Sequence, residues 1–110
     1  MVRQMKLNNG VFFIETDACE LLMKSQIVKF SDGYGSEEER VYWLWQTPLG
    51  NYAISYECQE FITLFWFQKK PGLLTYGLVW GKAPYADLSA ALAAWRHLGL
   101  VVADKFLVPA

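Results

Sequence analysis

Val41-Tyr42-Trp43-Leu44-Trp45-Gln46-Thr47, then Pro48-Leu49-Gly50, then Asn51-Tyr52-Ala53-Ile54-Ser55-Tyr56 is the stretch that decides the fold. Its two flanks are aromatic and β-branched, the composition that suits a pleated, covered surface. Between them Pro48 presets φ and Gly50 can take the positive φ that a type I turn with a bulge requires. The stretch reads as an antiparallel hairpin. Neither flank alternates apolar with polar, as a sheet with one wet face should. Trp43 and Trp45 lie on one face with Val41, and Tyr42 and Leu44 lie on the other. The hairpin is therefore expected to be covered on both sides.

The same reading extends along the chain. Ile62–Gln68 and Leu73–Trp80 form a second apolar pair around Lys69-Lys70-Pro71-Gly72, whose Pro-Gly suits the centre of a type II turn. Upstream, Val11–Thr16 and Gln26–Phe30 read as strands. Between those two, Asp17 and Glu20 have the spacing of a capping box, which predicts a short helix running to about Ser25. Ser31–Arg40 reads as a polar, Gly-punctuated loop. Beyond Gly81 the period changes to that of a helix, with Leu88, Ala91, Leu92, Trp95 and Leu98 on one face, Asp87 as N-cap and Gly99 as the terminating glycine. Val101–Val108 reads as a last strand. The expected fold is α+β: a single domain over residues 1–110, with an antiparallel curved sheet of about five to seven strands, a C-terminal amphipathic helix and a short N-terminal helix.

Composition narrows the function classes. Hydrophobic residues make up 54% of the 110, charged residues 19%, and the formal net charge is −1, so no field is available to hold a phosphate backbone and nucleic acid is disfavoured as a partner. Neither a signal peptide nor a membrane-spanning run is evident. Cys19 and Cys58 have no C-x-x-C spacing and are expected to be free thiols in a cytoplasmic protein.

Candidate chemistry is sparse. His97 is the only histidine; it sits in the last helical turn, where the macrodipole favours an imidazole, and it leaves no pair for a metal or a proton relay. Gly33-Tyr34-Gly35 lacks the third glycine and the following helix of a phosphate loop. No catalytic, metal or cofactor site is expected. The five Trp, six Tyr and seven Phe exceed what one helix of about 16 Å can cover. Trp and Tyr concentrate in interface hot spots, so the expected function is a small non-enzymatic interaction protein that binds a larger macromolecule. One form of it is an inhibitor of the type carried by phages and mobile elements, an anti-defence or immunity protein. The expected partner-binding residues are Asp32, Tyr34, Glu37, Glu38, Glu39 and Arg40: an aromatic anchor between glycines, followed by carboxylates that would steer a basic protein surface. Homodimerisation is compatible with this reading. The alternative is a small-molecule-binding domain or small enzyme with an aromatic pocket in the curved sheet.

Overall fold

A computed structural model describes residues 6–8, 10–31, 33, 36–63, 69–79 and 84–107. The deciding hairpin is formed by β5 (Ser36–Gln46) and β6 (Tyr52–Thr63), paired in antiparallel register from Ser36↔Ile62 to Gln46↔Tyr52. At its turn the Gly50 N–H donates to the Thr47 carbonyl at 2.9 Å, and Gly50 has φ 82°. A turn that needs this φ accepts glycine without steric cost.

The other strands add to this pair. β7 (Lys69–Leu78) pairs with β6 on one side. On the other side β3 (Glu20–Lys24) and β4 (Val28–Ser31) lie end to end along β5. Ser25 fills the break between β3 and β4: its N–H donates to the Tyr42 carbonyl at 2.7 Å, and its Oγ accepts from the Tyr42 N–H at 2.8 Å. No backbone group of Tyr42 is thereby left unmet where the edge is interrupted. A separate two-stranded ribbon, β1 (Lys6–Asn8) with β2 (Phe13–Glu15), completes the strands.

Both faces of the central sheet are covered over the half nearest the β5–β6 turn. On one face, α1 (Leu88–His97) and the tail that follows it bury Met23, Tyr42, Leu44 and Ile54 against Ala91, Trp95 and Val102. Asp87 caps α1, accepting from the Ala90 N–H at 2.7 Å. Gly99, at φ 80°, closes it by donating to the Arg96 carbonyl while the Leu100 N–H reaches the Trp95 carbonyl, the paired bonds of a Schellman termination. On the opposite face the ribbon buries Leu7 and Ile14 against Trp45, Ala53 and Leu78. The expected two-sided cover is present over that half, and one of its two layers is a ribbon of which the sequence pattern indicates only the second strand, within Val11–Thr16.

Four expectations are corrected. The short N-terminal helix is absent: Thr16–Ala18 is a single 3-10 turn and Glu20–Lys24 is strand β3. An isolated helix of that length is marginal in water, whereas pairing with β5 satisfies its backbone and buries Met23. The polar loop is shorter than expected, because Ser36–Arg40 belongs to β5. The second hairpin exists, but Lys69-Lys70-Pro71-Gly72 is not its turn. These residues lie in β7, where Phe61 opposes Pro71 beside a register shift, a place where a strand tolerates proline; the connection, 64–68, lies outside the described residues. Finally, no strand forms over the described part of Val101–Val108. The Val101 carbonyl accepts from the Trp95 indole N–H at 3.0 Å and the Ala103 N–H reaches Met23 Sδ at 3.4 Å, so these backbone groups dock the tail onto the core. A 3-10 turn at Asp104–Phe106 follows.

Candidate binding surface

Twelve residues of β6 span about 40 Å at the usual strand rise, whereas the ten residues of α1 span about 15 Å. The helix therefore covers less than half the length of the hairpin. On the other face the described side chains packed against the ribbon-face cluster reach along the strands to Trp43 and Tyr76. Among the described residues, no member of either buried cluster lies in the distal half of the sheet, from Val41 and Glu57 toward Ser36 and Thr63, so this half projects beyond both.

Strand alternation sorts the expected partner-binding residues onto two faces. Glu38 and Arg40 share the helix face with Tyr42, and Glu37 and Glu39 share the ribbon face with Trp43. The run that reads as one acidic loop is thus split across the sheet. Asp32 and Tyr34 lie outside the described residues.

On the helix face the register sets Glu60 opposite Glu38 and Cys58 opposite Arg40, with Thr75 beside Cys58. Arg40 donates through Nη2 and Nε to Glu38 Oε2 at 2.8 and 3.2 Å, and its guanidinium lies 4.9 Å from the centroid of the Phe30 ring. Hydrogen bonding to Tyr42, and then to Glu38, holds the Arg40 pKa above its ordinary value. Burial pushes the Cys58 thiol up, against the lowering effect of the Arg40 hydrogen bond. Glu60 has no cation within ion-pair distance among the described side chains. Glu38, Arg40, Cys58, Glu60 and Thr75, with Tyr42 and Tyr56, line a groove of about 320 Å³.

On the ribbon face, Glu37 and Glu39 of β5 stand beside Phe61 and Gln59 of β6, with Glu57 opposite Val41. Lys29 approaches Glu39 at 4.0 Å, and the Tyr76 hydroxyl donates to Glu57 Oε1 at 3.2 Å. Leu74, opposite Gln59, is exposed on this face, and Leu73 is exposed at the register shift; Ile62, opposite Ser36, is exposed on the helix face. Lys69 and Lys70 begin β7 opposite Thr63 and Ile62.

Comparison with known protein families, with curated proteins and with solved structures finds no match to this chain. Its chemistry must be read from the site itself.

Among the described residues no three His, Cys, Asp or Glu side chains gather as a metal site would require. His97 is exposed in the last turn of α1. Cys19 and Cys58 are both free thiols; burial, and secondarily Asp17, raise the Cys19 pKa, and a raised thiol pKa works against nucleophilic use. Glu57, Cys58, Glu60 and Phe61 join the surface although the sequence reading stopped the strand at Tyr56. Continuing its period of two through Glu57-Cys58-Gln59-Glu60-Phe61-Ile62 is the signal that places them.

Proposed function

We propose that this chain is a small non-enzymatic binding protein that engages a larger macromolecule, a protein with a basic surface, through the distal half of its sheet. The observation that carries the reading is the concentration of Glu37, Glu38, Glu39, Glu57 and Glu60 on β5 and β6, beyond the helix and the ribbon. Exposed apolar residues border them at Phe30, Ile62, Leu73 and Leu74. A rim of carboxylates accelerates encounter with a basic partner and sets its salt dependence, and adjacent apolar and aromatic groups supply the contact energy. Inhibition follows directly if the covered surface is the partner's working site, as in proteins of the anti-defence and immunity type.

The two faces separate in the test. The protein is used as bait, the captured partner is identified by mass and purified, and binding kinetics are measured for two double variants. One is Glu37→Lys with Glu39→Lys on the ribbon face; the other is Glu38→Gln with Glu60→Gln on the helix face. A docking face shows an association rate reduced at least about tenfold at low salt, converging with wild type at high salt. Unchanged kinetics in both, at wild-type stability, would overturn the proposal.

The helix-face groove supports a second reading, a small-molecule site walled by Tyr42 and Tyr56 with Arg40 and Glu60 as its polar groups. A ligand at 100 times its dissociation constant would stabilise the protein by about 2.7 kcal/mol, which thermal-shift screening against nucleotides, sugars and metabolites detects. Stabilisation by such a ligand, lost in the Tyr56→Ala variant, would favour this reading over the first.

A further inference from the structure

From the way its two hydrophobic clusters divide, we infer that the β1–β2 ribbon is a strap that opens from the sheet without unfolding the rest of the protein, baring Trp45, Ala53 and Leu78. All the buried hydrophobic residues among those described except Cys58 fall into two separate sets. Met23, Tyr42, Leu44, Ile54, Ala91, Trp95 and Val102 form one, and Leu7, Ile14, Trp45, Ala53 and Leu78 the other. Opening the strap dismantles the second set and leaves the first, with its helix and five-stranded sheet, intact. A boundary of this kind is where sub-global opening occurs.

The strap's own construction points the same way. Each of its strands has three residues and buries one side chain, Leu7 at 6% exposure and Ile14 at 4%. Two strands of that length do not stay ordered alone, so those side chains act as the latch. Of the rest of its apolar content, Phe12 is half-buried against the same cluster, whereas Val11 is 69% and Phe13 57% exposed. On its flank a crevice of about 520 Å³, lined by Phe12, Phe13, Ile14, Pro48, Leu49 and Pro84 among others, separates it from the β5–β6 turn, so close packing holds it on one side. The surface beneath continues, through Trp43 and Tyr76, into the distal ribbon face that carries Glu57 and Glu39. An open strap would therefore lengthen the apolar surface next to those carboxylates.

One buried proton reports the opening in the unmodified protein. The Trp45 indole N–H donates to Ser55 Oγ at 2.8 Å, and both residues are buried on the ribbon face. Its hydrogen exchange is followed by NMR through low, sub-denaturing urea concentrations and compared with the slowest amides of β5 and β6. Exchange through strap opening gives the indole a shallow dependence on urea, because little surface is exposed, while the β5–β6 amides show the steep slope of global unfolding. Leu7→Ala should then accelerate the indole by roughly thirtyfold or more relative to those amides. An indole that shares the steep slope in the wild-type protein would overturn the inference, and so would one whose shallow-slope exchange Leu7→Ala leaves unaltered. The measurement needs no partner, so its outcome is independent of the proposed binding function.

Discussion

Gly77 stands directly opposite Tyr56 across the β6–β7 pair, and the Tyr56 ring occupies the place a side chain at position 77 would take. A Cβ built there would lie 2.7 Å from the phenolic oxygen and 2.9 Å from Cζ. The missing side chain lets the ring lie over the neighbouring strand, where Tyr56 packs at the margin of the helix-face cluster and walls the groove. Gly77→Val should destabilise by roughly 1–3 kcal/mol, because the ring must leave or the strands must part. Tyr56→Ala combined with Gly77→Val should recover part of that loss, a non-additivity read from urea unfolding of the two single variants and the double variant.

Trp95 gives the strongest stability prediction. It is 1% exposed at the centre of the α1 stripe, and its indole N–H is the donor that fixes the tail at Val101. Trp95→Ala should cost roughly 3–5 kcal/mol, from a large cavity and an orphaned carbonyl. A loss below about 1 kcal/mol in denaturant unfolding would contradict this assignment of the buried face.

The alkaline limb of the stability curve should carry the signature of three acids whose protons the fold retains. Burial raises the Cys58 thiol above its ordinary 9.0, offset in part by its hydrogen bond to Arg40; burial, and secondarily Asp17, raise the Cys19 thiol; and partial burial raises the Tyr85 phenol above its ordinary 10.0. All three groups hold their protons longer in the folded state than in the unfolded one. Their contribution is complete below the unfolded values and is lost as pH rises through the folded ones. Stability measured from about pH 7 upward should therefore begin to fall near about pH 9, and Cys58→Ala should flatten the first part of that fall. A curve identical in the two proteins would show that the thiol is not coupled to folding.

How much of this was legible follows from what each signal depends on. The β5–β6 turn and α1 were readable because their determinants are local: Gly50 and Gly99 at positive φ, and Asp87 within reach of the Ala90 N–H. Cover on both faces was readable from Trp43 and Trp45 opposing Tyr42 and Leu44. Asp17 and Glu20 misled because capping chemistry is also compatible with a tight turn, and the pairing partner that makes Glu20–Lys24 a strand lies some twenty residues downstream at Trp43–Gln46. Pro71-Gly72 misled in a similar way. A turn-forming dipeptide at a sheet edge is equally at home in a bulge, and only the register with Phe61 distinguishes the two. The acidic run is legible as residues but not as a surface, since nothing local says that Ser36–Arg40 enters a strand and divides its charges between two faces.

The pairing of Glu38 and Glu60 across β5 and β6 leads to a last prediction, about what Arg40 does. Like charges directly opposite one another on a sheet repel, and here Arg40, two residues along the same face, binds Glu38 through two nitrogens. The Glu38 and Arg40 side chains are 35% and 38% exposed, so solvent weakens the pair and it merits no more than the upper range of a surface ion pair, about 1 kcal/mol. Arg40→Ala should cost somewhat more than that, roughly 1–2 kcal/mol, because the Glu38–Glu60 repulsion is no longer screened and the stack on Phe30 is lost. Glu38→Gln should then behave oppositely in the two backgrounds. In the wild-type protein it removes a charge-assisted hydrogen bond and destabilises slightly; in the Arg40→Ala protein it relieves a bare repulsion and stabilises. About 1 M salt should shrink the difference between the backgrounds, since the Debye length falls to about 3 Å. The double-mutant cycle in urea, repeated at low and high salt, measures it directly. If Glu38→Gln has the same sign and size in both backgrounds, Arg40 neutralises nothing and its place on this face is one of packing alone.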